Sequence, residues 1–239
     1  MIAHDVQDQL EKSASATDAM FLQRFFKTAP GEYGAGDVFI GVRMGPVRAA
    51  AKHFKDLPLV EIQKLLDSQV HEYRMTGLII LTLRYPKASE PDKQEIYDFY
   101  LKNVYKGRVN NWDLIDVTSP RVIGAHLVNR PHDILFALAR SDDLWQKRVA
   151  IISSSALINV GQPATTLELA EILLKDDHDL IQKAVGWMLR EVGKRCDRVI
   201  LLDFLDSHSQ EMPRTMLRYS IEHLPPEQRA HYMRQKSYN

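Results

Sequence analysis

Apolar residues recur at three- and four-residue spacing along nearly the whole chain, which is the period of an amphipathic helix. The spacing predicts helices over 18–27, 46–54, 59–66, 70–84, 92–104, 112–128, 134–139 and 143–158. It continues with 166–174, 180–194, 199–207, 213–223 and 227–236. Short breakers separate them: Tyr85-Pro86, Ser119-Pro120, Asn129-Arg130-Pro131, Gly161-Gln162-Pro163 and Pro225-Pro226. Ser89, Asn110, Ser141 and Asp177 stand where N-caps are expected. No pair of strands is expected.

Short helices joined by short turns invite a search for repeats. Gln146-Lys147-Arg148-Val149-Ala150 recurs as Gln182-Lys183-Ala184-Val185-Gly186, 36 residues later. Glu72-Tyr73-Arg74-Met75-Thr76 has the same character 74 residues before the first copy. Each copy opens a long apolar helix preceded by a shorter amphipathic one. The expected architecture is therefore all-α: a right-handed α-solenoid of HEAT-like helix pairs forming one domain over 1–239. The second helix of each pair is expected to line the concave face. The stretch Ala29–Asp37, APGEYGAGD, is the expected flexible segment.

Composition narrows the function classes. Lys plus Arg and Asp plus Glu number 31 each, so nucleic-acid binding must rest on a local basic surface rather than on net charge. The single cysteine, Cys196, excludes a disulfide framework within the chain and suits a reducing, cytoplasmic setting. The first residues are polar, and no apolar run approaches the roughly 20 residues of a membrane span. A soluble protein without a membrane partner is expected, working as a monomer. The nine histidines form no metal-ligand spacing, and Cys196 has no catalytic partner in sight, so neither a metal nor another cofactor is expected.

Three places could carry chemistry. In Asn110-Asn111-Trp112-Asp113-Leu114-Ile115-Asp116, Trp112 and Asp116 are four apart and share a helix face. Trp112 could equally be core, and Asp116 an ordinary surface acid. Arg148, after Lys147 at the start of a repeat helix, could grip a phosphate or bridge neighbouring repeats. Lys183, Trp187, Arg190 and Lys194 share one face, a basic stripe around an indole. A solvated face with a half-buried Trp is the plain alternative. Arg214 and Arg218 repeat the one-face basic spacing.

At these residues the chain resembles the AlkD family of DNA alkylation-repair glycosylases, over about 38–224. The likeness is strongest at NNWDLIDVTSP, LWQKRVAII and IQKAVGWMLRE. The family pattern is a Trp, a carboxylate four residues on, an Arg in the next repeat and a second Trp in the one after. Trp112, Asp116, Arg148 and Trp187 match it. The resemblance implies a HEAT-like solenoid whose concave face holds duplex DNA containing alkylated bases. Such enzymes release 3-methyladenine- and 7-methylguanine-type purines, and a bacterial member would act at the nucleoid. Asp116 is then the catalytic carboxylate, Arg148 positions the backbone, and both indoles meet the lesion sugar. Lys147, Lys183, Arg190, Lys194, Arg214 and Arg218 are the expected DNA contacts. One departure stands out: some relatives place a tyrosine in an early helix near the lesion, where this chain has Arg24-Phe25-Phe26-Lys27.

A purine alkylated at N3 or N7 is cationic and leaves without protonation, so one carboxylate suffices. It stabilises the positive charge developing on the deoxyribose and can accept a proton from the attacking water. The resemblance implies that the lesion stays largely exposed rather than flipped into a pocket. No lysine is placed as a Schiff-base nucleophile, so a monofunctional hydrolase is expected. Two rival functions share the architecture. A non-catalytic solenoid would bind branched or distorted DNA without base release, and a protein-binding scaffold would have no DNA affinity at moderate salt.

Overall fold

The computed structural model describes residues 1–234. The described residues are mainly helical; the longest connection runs over 26–43, and an isolated parallel β-bridge joins Val38 to Val70. None of their helices is long and apolar enough to cross a membrane. The chain divides into two compact units, Met1–Val122 and Ile123–Asn239.

The first unit holds α1 (Ala3–Glu11), α2 (Ala16–Phe25), α3 (Met44–His53), α4 (Leu59–Leu66), α5 (His71–Arg84), α6 (Glu90–Tyr105) and α7 (Trp112–Ser119). Its organising element is α5, buried at every position from His71 to Thr82. A helix apolar on most sides must be enclosed, and α3, α4 and α7 pack on it. Three polar side chains at its start, His71, Glu72 and Arg74, are buried with it. Buried charges of this kind are tolerable only with partners. The Glu72 carboxylate accepts the backbone N–H groups of Ile40, Gly41 and Val42 at 2.9–3.2 Å. The loop therefore reaches α5 with its amides turned inward. Gly41 has φ +81, and a Cβ there would lie 2.0 Å from the Ser15 carbonyl oxygen, so only glycine fits the bend.

The second unit holds α8 (Ala125–Leu127), α9 (Asp133–Ala139), α10 (Leu144–Ser153), α11 (Ser155–Asn159), α12 (Ala164–Ile172) and α13 (Asp179–Arg195). It continues with α14 (Arg198–His208), α15 (Arg214–Ser220) and α16 (Pro226–Arg234). The two copies of the repeated motif lie in α10 and α13. Consecutive helices pack pairwise, α9 on α10 and α12 on α13, and α10 packs on α13 in turn. Gly186 sits where α13 meets α15. A Cβ there would lie 2.4 Å from the Met216 carbonyl oxygen, so glycine lets the two backbones approach closely.

Several boundaries differ from the periodicity. The predicted helix over 112–128 is interrupted by a π turn, Pro120–Gly124. Proline has no N–H to give the carbonyl four residues back, which is that of Asp116. The predicted 143–158 helix breaks at Ser154, whose hydroxyl donates to the Ile151 carbonyl. The cap of α7 is Asn111, that of α10 is Asp143 and that of α13 is His178, while Ser89 caps α6 as expected. Helix α1 was not foreseen. Its Ala3, Val6 and Leu10 are buried, and it is tied down by distant partners. Glu61 accepts the Ala3 N–H at 2.8 Å, and the Tyr73 hydroxyl donates to Glu11 at 2.6 Å. Residues 235 and 236 of the expected last helix lie outside the described residues.

Candidate functional site

In the first unit the site is built at the start of α7. Asn111 has φ +82, a conformation that Asn tolerates better than most residues. Its side-chain oxygen accepts the Trp112 N–H at 2.9 Å. Trp112 is the first helical residue and Asp116 lies one turn on, so the two share a face, and both are half-buried. The pairing expected from spacing is thus present on one helix. Asp116 also acts on its neighbours. Tyr100, fully buried on α6, has its hydroxyl 2.7 Å from that of Thr118, whose own proton goes to the Leu114 carbonyl. Tyr100 is therefore the donor. Burial pushes its phenol well above the usual range, and the Asp116 charge raises it further.

The indole of Trp112 is fixed by two rings from the end of α2. Phe26 lies nearly parallel to it, 5.1 Å between centroids and 21° between planes. Phe25 meets it edge-on at 6.0 Å and 70°. Phe26 is buried against Phe39, whereas Phe25 is 53% exposed and stacks on the 58% exposed Phe21. In the sequence, Phe25 and Phe26 stand out only for the hydroxyl they lack. Their role against Trp112 had one faint signal, an early helix with apolar residues on several sides.

Behind these rings lies a charged cluster that sequence reasoning did not find. The His71 ring places Nδ1 at 3.1 Å from Asp37 and Nε2 at 2.8 Å from Asp113. Asp37 also accepts from Arg74 at 2.6 Å, from Asn110 at 3.2 Å and from Asn111 at 3.3 Å. Burial alone would discharge the imidazole, but the charge of Asp113 and the bonds to both carboxylates outweigh it and raise its pKa to about 9. Burial likewise opposes the Asp37 charge, yet His71 and Arg74 hold that carboxyl down at about 2. Asp37 thus ends the segment that composition marked as flexible, and it is 4% exposed in a six-residue polar network. The Tyr33 ring in the same segment lies 5.7 Å from the Lys27 ammonium.

In the second unit the candidate residues occupy α10, α13 and α15. Arg148 is buried on α10, and its Nη1 donates to the Leu180 carbonyl at 2.6 Å, at the start of α13. One arm of the guanidinium therefore does bridge neighbouring helix pairs. Lys147 pairs with Asp176 at 2.8 Å. Along α13, Lys183 pairs with Asp179 at 2.6 Å, and half-buried Trp187 lies one turn on. Arg190 pairs with Glu222 and with Glu191. Lys194 is exposed and takes no ion-pair partner among the described residues. Arg214 and Arg218 are exposed on α15, Arg214 donating to the Met233 carbonyl at 2.9 Å. Arg190 and Lys194 also line a cleft of about 170 Å³ with Arg198 and His223.

A model of the family described as DNA alkylation repair enzyme matches residues 6–224. Among solved structures, the chain is similar to one titled "Predicted DNA alkylation repair enzyme from Enterococcus faecalis". The two are 16% identical, the match covers 90% of this chain and 98% of that one, and the TM-score is 0.70, a likeness of fold. No curated protein matches the chain.

Proposed function

Because this chain belongs to the DNA alkylation repair enzyme family, we propose that it is a monofunctional glycosylase. It would hydrolyse the N-glycosidic bond of cationic alkylated purines, of the 3-methyladenine and 7-methylguanine type, in duplex DNA. The observation that carries this reading is the α7 face, where a carboxylate and an indole stand one turn apart and the indole is braced by Phe25 and Phe26.

The chemistry asks little of the protein. The bond from the sugar C1′ to the base nitrogen breaks, and its electron pair neutralises the alkylated base, which leaves. Water adds to C1′ and gives up a proton. Asp116 faces the positive charge that grows on the sugar and accepts that proton. The π face of Trp112 favours the same cationic sugar. Phe26 behind the indole holds that face in place before the substrate arrives, so little ordering is left for the transition state. In the second unit, Arg148 and Trp187 take the roles the family pattern gives them, on the DNA backbone and on the lesion sugar. Lys147, Lys183, Arg190, Lys194, Arg214 and Arg218 supply charge for the phosphates.

The test is incubation with methylated duplex DNA and chromatography of the released bases. Free 7-methylguanine above the uncatalysed background supports the assignment. Tight, salt-sensitive binding without release would favour the non-catalytic DNA-binding reading instead.

A further inference from the structure

The cluster behind Trp112 has a chemistry of its own. Both nitrogens of the His71 ring face carboxylate oxygens, Asp37 on one side and Asp113 on the other. A neutral imidazole carries one N–H and would turn a lone pair toward one of those oxygens. Only the imidazolium can donate to both. The cluster then balances, with His71 and Arg74 set against Asp37 and Asp113, all at least 86% buried at the side chain. The charges that act on the ring are those of Asp113, Asp37 and Arg74. Besides Asp37, the α2 end and the segment after it set Phe26 and Phe39 against the ring, at 5.3 and 4.4 Å between centroids.

This charge acts where α7 begins. Asp113 is the residue after Trp112 and three before Asp116. Its second oxygen accepts the Leu114 N–H at 2.9 Å, so the His71 bond holds the first helical turn directly. Asp37, on the other side of the ring, holds Asn110 and Asn111, the two residues that lead into the helix. Phe26 lies against both the His71 ring and the Trp112 indole. Three polar contacts and one ring stack thus run from His71 to the start of a helix whose face carries the candidate chemistry.

We propose that His71 is a positioning residue: as an imidazolium bridging Asp37 and Asp113 it fixes the first turn of α7 and thereby the setting of Trp112 and Asp116. Loss of its proton turns one of the two bonds repulsive and releases that turn. The consequence for base release rests on the glycosylase reading; the consequence for Trp112 does not.

The test uses the full chain labelled with 5-fluorotryptophan, with the Trp112 fluorine signal assigned through Trp112→Phe. In the wild-type protein this signal moves with pH at the same midpoint as the His71 ring resonances, near pH 9. Asp113→Asn removes one of the two charges while keeping the side-chain shape. It lowers both midpoints together by at least about one pH unit. Single-turnover release of 7-methylguanine then declines between pH 6 and 9 in D113N, while the wild-type rate holds over most of that range. His71→Gln leaves the Trp112 signal flat with pH and slows release. A Trp112 signal unmoved through the His71 titration, or midpoints in D113N unchanged from wild type, overturns the proposal, even if His71→Gln does not fold. Should wild-type protein release no base, the glycosylase reading falls and the fluorine titration alone decides the role of His71.

Discussion

The Phe26 ring lies face to face with the Trp112 indole, 5.1 Å between centroids and 21° from parallel. The contact joins the end of α2 to the first residue of α7, 86 residues apart in sequence. Phe26 also packs on Phe39 and His71, so one ring links the apolar core of the first unit to its charged cluster.

Removing that ring should harm stability and activity together. Phe26→Ala deletes a side chain only 6% exposed, and such truncations cost about 3–5 kcal/mol. Urea unfolding reads the loss as a lower midpoint. Phe26→Leu keeps most of the volume but not the flat face, so it should recover most of the stability and little of the base-release rate. Equal recovery of both would reduce Phe26 to a filler.

The stability of the first unit should depend on pH from both sides. His71 titrates higher in the fold than its ordinary 6.5, so its contribution is full below pH 6.5 and is lost as pH rises through about 9. Asp37 titrates lower than its ordinary 3.8, so its contribution is full above pH 3.8 and is lost as pH falls through about 2. From these two groups, stability is greatest between about pH 4 and 6.5 and falls on the alkaline side by a few kcal/mol at most. Denaturant midpoints measured from pH 5 to 10 check this. In His71→Gln the alkaline decline should flatten.

The basic stripe on α13 separates into paired and unpaired charges. Lys194 is exposed and takes no ion-pair partner among the described residues, so its charge is available to a phosphate without breaking an ion pair among them. Lys194→Ala should weaken binding to any duplex and reduce the slope of log affinity against log salt by about 1. Lys183→Ala should change the slope less, because the Asp179 charge it leaves unpaired belongs to the same helix turn. Salt titrations by fluorescence anisotropy on one unmodified duplex measure both. Identical slopes for wild type and the Lys194 variant would remove Lys194 from the DNA-contacting surface.

The helices were largely legible because their apolar periodicity survives into burial, as α4 shows by matching its predicted 59–66 bounds. The two related five-residue segments, 146–150 and 182–186, both fall in the opening turns of helices, α10 and α13. Helix α1 was hidden because three buried apolar residues sit among charged ones, and its anchors, Glu61 and Tyr73, lie some 60 residues away. The pair Trp112 and Asp116 could be read from spacing alone, because a helix turns four residues into one face. The cluster around His71 could not. Asp37, His71, Arg74 and Asp113 each look like ordinary polar helix or loop residues. Only the packing of α5 and α7 with the loop after α2 brings them into one buried set. Buried polar networks are invisible to periodicity, which records where a residue sits on its own element and not what meets it there.

The role given to Asp116 bears most of the account. The decisive measurement is single-turnover release of 7-methylguanine from duplex DNA by Asp116→Asn, beside wild type and above the uncatalysed background. The amide keeps the shape of the side chain but not its charge, so thermal unfolding should stay close to wild type. The predicted result is a rate at least about 100-fold lower with duplex affinity retained. A rate near that of the wild-type protein would contradict the account.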